Sequence, residues 1–239
     1  MVKSLAMSQP VCVVVGVGPG NGAAFARRFA AGGYAVALLA RGYERTEALA
    51  KQLPGARAYS CDVADPASVK STFAALTSDL GVPQVVIYNA GSGVWGTMEQ
   101  ITPEQLLDAL RVNTTGLLAC AQQVVPGMRG AGKGSIVVVG ATASRRGGAK
   151  TAGFAPAKAA QKSLAESMAR HLGPQGIHVS LIVIDGVVDL PATRERMTDK
   201  PDSFFVKPFD VAETAWWLSH QPRSAWSFEV DVRPFAETW

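Results

Sequence analysis

The chain is 239 residues long, 48% hydrophobic and 18% charged, enough apolar material for one large α/β domain with helices on both faces of a sheet. The formal net charge of +4 is dispersed. It includes only two short basic pairs, Arg27-Arg28 and Arg145-Arg146, and no basic stripe interleaved with aromatics, which argues against a nucleic-acid partner. Three distant cysteines (Cys12, Cys61, Cys120) and three histidines without partners at ligand spacing (His171, His178, His220) argue against a disulfide framework and a metal site, and fit a reduced, cytoplasmic setting.

The opening MVKSLAMSQP has no signal-peptide pattern, and the apolar run Val11 to Val17 is too short to span a membrane and is broken by Gly16. Val11–Val15 reads as a buried β-branched strand. Gly20–Ala31 reads as an amphipathic helix closed by Gly32-Gly33. Tyr34–Leu39 is a second strand, Glu44–Leu53 a helix stopped by Pro54-Gly55, and Ala56–Ser60 a third strand. Asp65-Pro66 opens the next helix, with Pro in its first turn. Val85–Tyr88 is the fourth strand. Thr102, as N-cap, opens a long helical stretch to Met128. Ser135–Val139, the helix Ala152–His171, Ile177–Ile184, the helix Asp210–His220 and a last strand Ser227–Val232 complete the pattern. Continuous apolar strands alternating with helices imply a parallel sheet covered on both faces. No linker or repeat divides the chain, so one domain is expected over residues 1–239.

Three strand ends carry chemistry. The first runs into Gly16-Val17-Gly18-Pro19-Gly20-Asn21-Gly22 and then a helix, the context a dinucleotide fingerprint requires. Glycines allow a tight turn and close backbone approach to a pyrophosphate, and the helix N-terminus supplies N–H groups and positive partial charge. The second strand ends in Leu39-Ala40-Arg41. An acidic residue there would bind a ribose 2′-hydroxyl; Ala40 followed by a guanidinium instead favours a 2′-phosphate, hence NADP(H) over NAD(H), with Arg45 placed to assist. The third ends in Cys61-Asp62-Val63, where Asp62 is placed either to bond an adenine edge, with Val63 packing beside the ring, or to shape a turn.

By these motifs and those that follow, the chain resembles the short-chain dehydrogenase/reductases over nearly its whole length. The glycine turn is similar to their TGxxxGxG, with Val15 in the Thr position. Asn89-Ala90-Gly91 is similar to their NNAG, with Tyr88 replacing its first Asn. Asn113 in Val112-Asn113-Thr114-Thr115-Gly116 falls where the family keeps a catalytic Asn, and Lys158 in Phe154-Ala155-Pro156-Ala157-Lys158 matches the Lys of YxxxK. The resemblance implies a doubly wound Rossmann sheet, mostly parallel, of seven strands in the order 3-2-1-4-5-6-7. It also implies a small-molecule substrate and pairing into a homodimer or homotetramer through the long helices at about 105–128 and 152–171.

In the family a Tyr hydroxyl exchanges the substrate proton, Lys lowers that Tyr's pKa and holds the nicotinamide ribose, Ser steadies the substrate oxygen, and Asn holds a proton-relay water. Here the resemblance puts Phe154 in the Tyr position and, by the family's spacing from Asn113, Ala141 in the Ser position. Thr142 and Ser144 are the nearest hydroxyls, with local turn bonding as their alternative role. The family's Pro-Gly and later Thr after the sixth strand become Asp185-Gly186 and Leu190, so Asp185 is a substitute polar group or a turn former, and Gly186 keeps its place by the cofactor. Pro191–Lys207 is expected as a mixed-charge loop over the substrate cleft, which Trp95 also approaches. Trp216, Trp217, Phe235 and Trp239 are expected in core or subunit contacts. The resemblance leaves two expectations: an NADP(H)-dependent oxidoreductase with a non-standard proton donor, or an NADP(H)-binding sensor or structural subunit with impaired catalysis.

Overall fold

The computed structural model describes residues 9–236; the leader reading of the first eight residues and the placement of Trp239 lie outside them. β1 (Val11–Val15) leads into α1 (Asn21–Ala31), β2 (Ala35–Ala40) into α2 (Tyr43–Ala50), and β3 (Arg57–Ser60) into α3 (Pro66–Leu80). β4 (Pro83–Tyr88) is followed by α4 (Pro103–Leu110) and α5 (Gly116–Gly130), and β5 (Gly134–Ala141) by α6 (Phe154–Leu172). Next come β6 (Ile177–Ile184), the two-residue β7 (Val187–Val188), α7 (Pro191–Arg196), β8 (Phe205–Val206), α8 (Pro208–Ser219) and β9 (Glu229–Val232).

Seven strands pair in parallel in the order β3-β2-β1-β4-β5-β6-β9, the doubly wound order expected, with β9 as the seventh long strand. Strand alternation explains the two cores. Val13 and Val15 of β1 face one side, with Phe73 and Leu76 of α3, Leu117 and Val124 of α5 and Met168 of α6. Cys12 and Val14 face the other, with Phe25 and Phe29 of α1, Leu49 of α2 and Val211 and Leu218 of α8. Each fully buried side chain of this kind contributes about 1.5–3 kcal/mol. The chain moves outward in both directions from β1 and β4, so the C-terminal ends of these two strands open a crevice between them. Among the described residues no helix is long and apolar enough to cross a membrane.

One expectation needs correction. The stretch 191–207 is not an open loop: it holds α7, a 3-10 turn and β8, which pairs with β7. Pro191 starts α7, and the Thr193 hydroxyl accepts from the Leu190 N–H at 2.9 Å while donating to the Val188 carbonyl at 2.7 Å. A four-residue ion network ties it down: Asp189, just before it, binds Arg194 at 2.6 Å and Lys207 at 2.7 Å, and Asp202 binds the same two cations. Of the aromatics expected in core or subunit contacts, one lies in the core. Trp216 packs edge-on to Phe29 with the Arg28 guanidinium over its ring, whereas Trp217 is half-exposed and Phe235 stands in solvent.

The long helix after β4 does form, capped by Thr102 and Gln105 in a reciprocal capping box. It widens into one π-turn at Arg111–Thr115 between α4 and α5. The fully buried Tyr88, at the end of β4, donates its hydroxyl to the Val112 carbonyl inside that turn. Tyr88→Phe removes this hydrogen bond and its buried hydroxyl. The expected cost is about 1–3 kcal/mol, read as a lower urea midpoint at unchanged slope.

Candidate active site

The crevice begins at a backbone crossing. Gly16 has φ +90° and its N–H, with that of Val17, donates to the Leu39 carbonyl at 2.9 and 3.0 Å, turning the chain off β1. The Asn89 side chain donates Nδ2–H to the Gly16 carbonyl at 2.7 Å, and its backbone N–H donates to Val15 at 2.9 Å. A Cβ on Gly16 would lie 2.4 Å from the Ala90 nitrogen, and one on Gly22 would lie 2.7 Å from the Gly16 carbonyl oxygen. Glycine is therefore required at both positions, by contact and, at Gly16, by conformation. α1 opens at Gly20 with no side-chain cap and no acidic residue in its first turn, so its positive end faces outward uncompensated. The Asn21 Oδ1 is buried there without a hydrogen-bond partner.

This elbow lines a cavity of about 1420 Å³ that also takes in Gly18, Arg41, Asp62, Val63, Asn89, Ala90 and Gly91. Arg45 lines it too, on α2, and so do Arg27 and Gln52, which the sequence reading missed. Arg27 stands on α1 with its guanidinium 3.4 Å from the Gln52 Oε1, and no motif spacing marks either residue. Asp62 takes the turn role weighed for it, its Oδ1 accepting the Ala64 N–H at 3.0 Å, and the residue borders the cavity. Leu190 lies against Gly20, its Cδ2 2.2 Å from where a Cβ would stand, and so covers one side of the elbow. Gly186 is not on the wall of this cavity; a Cβ there would meet Pro234 at 2.8 Å and Val206 at 3.0 Å.

Beyond Gly91 lies a second cluster. Lys158, on the buried face of α6, donates to the Val139 carbonyl at 2.9 Å and to Gln161 Oε1 at 3.0 Å. Burial without a carboxylate partner lowers its pKa to about 8. Asn113, fully buried in the π-turn, donates Nδ2–H to Ala109 at 2.9 Å and Ser92 at 3.1 Å, and its Oδ1 is left without a partner. A Cβ on Gly91 would stand 3.4 Å from that oxygen and 3.7 Å from the Lys158 Nζ, so both groups face the Gly91 backbone. Gln161 was not singled out from sequence. Its signal was a polar side chain three residues after Lys158, on the stripe that buries Ala157, Ala165 and Met168.

The N-terminus of α6 is aromatic. The Phe154 ring stacks on Trp95, centroids 5.2 Å apart and planes 29° apart, with Trp95 66% exposed. Ala141 ends β5, and the two hydroxyls after it diverge. Ser144 is buried and accepts the Ala141 N–H at 3.1 Å, the turn role weighed for it. Thr142 donates to Asp185 Oδ1 at 2.5 Å, across the ends of β5 and β6. Asp185 continues to Arg233 at 3.9 Å, which binds Asp231 at 2.7 Å.

A parallel sheet whose glycine elbow, asparagine crossing and buried lysine meet at one crevice defines a class of nucleotide-dependent oxidoreductases. Residues 10–201 match the short chain dehydrogenase family, and the chain belongs to it. It is 33% identical over 195 residues to a short-chain type dehydrogenase/reductase of Sinorhizobium fredii, covering 79% of this chain and 77% of that one. It is 29% identical over 218 residues to the 3-oxoacyl-acyl-carrier-protein reductase of Bos taurus, covering 89% and 92%. Among solved structures, a short-chain dehydrogenase from Rhodopseudomonas palustris superimposes with a TM-score of 0.81 at 30% identity, over 95% of this chain and 99% of that one. The actinorhodin polyketide ketoreductase, solved with NADPH, gives 0.86 at 26% identity, over 95% and 96%. Members of this family bind NAD or NADP and act on small molecules.

Gly22→Val drives a branched side chain into the Gly16–Val17 backbone. Calorimetric titration should show loss of nicotinamide-nucleotide binding; parental affinity in this variant would mean that the nucleotide binds elsewhere.

Proposed function

We propose that this protein is an NADP(H)-dependent oxidoreductase of small molecules in which Phe154 and Ala141 occupy the positions of the family's proton-donating Tyr and its Ser. The observation that carries the nucleotide assignment is the glycine elbow opening onto a large cavity that Arg41 and Arg45 line where an acidic residue would mark NAD. The residues fit such a group. Gly16 and Gly22 leave no room for a Cβ, α1 presents an uncapped positive end, and Asn113 Oδ1 is a buried acceptor awaiting a donor.

Gly16, Gly18, Gly20, Asn21 and Gly22 would hold the pyrophosphate, Arg41 with Arg45 the 2′-phosphate, and Asp62 and Val63 the adenine. Asn89, Ala90, Gly91, Asn113 and Lys158 would line the nicotinamide ribose, with Gly186 flanking the ring. When bound, the nucleotide supplies or accepts a hydride. The chain's own residues orient the reactants: the ammonium of Lys158 has one N–H left after Val139 and Gln161. Phe154 and Trp95 give the substrate a flat apolar wall and exchange no proton. Thr142, donating to Asp185, keeps its lone pairs for a substrate donor. Substrates that draw little on an enzyme-held acid, such as activated C=C bonds, suit this site better than simple ketones. A second reading follows from the same Phe154–Trp95 stack: a protein that binds NADP(H) as a sensor or structural subunit and turns over little.

Arg41→Ala should weaken NADPH binding by about 10–100-fold, the value of one charged hydrogen bond, and leave NADH nearly unchanged. Equal losses for both nucleotides would remove the 2′-phosphate assignment. The two readings part on activity. The unaltered protein, assayed for NADPH consumption with carbonyls, quinones and enones, should turn over at least one. In the sensor reading it turns over none. The double change Phe154→Tyr with Ala141→Ser should in either reading raise ketone reduction by about 10²–10⁴-fold.

A further inference from the structure

Gln161 joins two groups that carry the site's chemistry. It is fully buried on α6, its Nε2–H donates to the main-chain carbonyl of Asn113 at 2.9 Å, and its Oε1 accepts from Lys158 at 3.0 Å. The amide has only one orientation that satisfies both partners, because a carbonyl can only accept and an ammonium can only donate. The bridge therefore runs from β5 through Lys158 and Gln161 to the π-turn, each link a donor meeting an acceptor.

We propose that Gln161 is a positioning residue that takes the place of a buried water between Lys158 and Asn113, fixing the ammonium and closing that side of the site to proton relay. The inference rests on the reading of Lys158 as a nucleotide-facing group. A water at this point passes protons by reorienting, since it donates and accepts in turn. A carboxamide keeps its N–H protons and its orientation, so the bridge holds geometry and carries no proton. A proton required by the substrate must then enter from the open side of the cleft, by Thr142 and Trp95. This matches a site whose α6 N-terminus presents Phe154. It also leaves Lys158 with a single unpaired N–H, directed by two fixed acceptors rather than by exchangeable water.

The ionisation of Lys158 reports the bridge. The elements against Lys158 bring the Val139 carbonyl from β5, Gln161 from α6, and the Asn113 amide and Gly91 backbone opposite; burial alone displaces its pKa, with no charged group contributing. The experiment follows the Lys158 ε-methylene by NMR through a pH titration of the full chain labelled at lysine, with Lys158→Arg to assign the signal. The unaltered protein should show a midpoint near 8. Gln161→Leu removes an acceptor of the ammonium and should lower the midpoint by about one pH unit. Gln161→Glu sets a carboxylate against the ammonium and should raise it by about one to three pH units. Glu is nearly isosteric with Gln, so this arm stands even where the Leu variant fails to fold. A midpoint that stays put in Gln161→Glu overturns the proposal and leaves Gln161 as packing. Titration of the same samples with NADPH separates the two readings. In the unaltered protein affinity should fall as pH rises through the Lys158 midpoint. Absence of any nucleotide binding would sink the cofactor assignment while the lysine titration still judged the bridge.

Discussion

The architecture of the site turns on how closely two backbones approach at the ends of β1 and β4. Asn89 reaches across to the Gly16 carbonyl, and the Ala90 backbone lies where a side chain on residue 16 would be. Only a chain without Cβ can sit there at φ +90°. That one contact sets the crevice between the outward-running halves of the sheet, points the N-terminus of α1 into it, and carries Gly91 on toward Lys158 and Asn113. The elbow and the buried cluster are thus two ends of one strand crossing.

The buried cluster is a problem of charge in an apolar place. An ammonium surrounded by α6, β5 and the π-turn is held by dipoles alone, since no carboxylate lies against it, and its proton is loosened accordingly. Tyr88 and Gln161 meet the same need from opposite sides. Tyr88 supplies a donor to the Val112 carbonyl and Gln161 one to that of Asn113, so two consecutive carbonyls of the widened turn are satisfied by side chains. The turn in its place holds Asn113 Oδ1 buried against the Gly91 backbone without a protein partner. Networks of carboxylates and cations lie elsewhere, in the α7 region and along β9, where Arg145 binds Glu229 and Asp231.

Much of this was legible in order along the chain. The strand-to-helix glycine turn, the alternation that sorts Val13 and Val15 from Cys12 and Val14, and the Thr102 cap are local matters, set by backbone sterics and period. The spacing of Phe154 and Lys158 placed one aromatic and one ammonium on one face of a helix, and the structure keeps them there. What did not show was any partner fixed by distance in space. Arg27 comes to the cavity from α1 and Gln52 from the turn after α2, Leu190 settles on Gly20, and Trp95 lies down on Phe154 across a gap of 59 residues in the chain.

The sequence by itself determined the element order, the parallel sheet, the glycine elbow and the identity of the side chains at the strand ends, because each follows from neighbours a few residues apart. Only the tertiary structure decided what those side chains do to one another. Ser144 turns inward to a backbone N–H while Thr142 meets Asp185, and the 191–207 stretch folds on its own ion pairs. Gln161 becomes a bridge because α6 packs it under the π-turn, where an unpaired amide would be costly and two partners lie in reach. Hydrogen bonds of that kind depend on which surfaces are brought together and dried, and no local pattern in the chain encodes that.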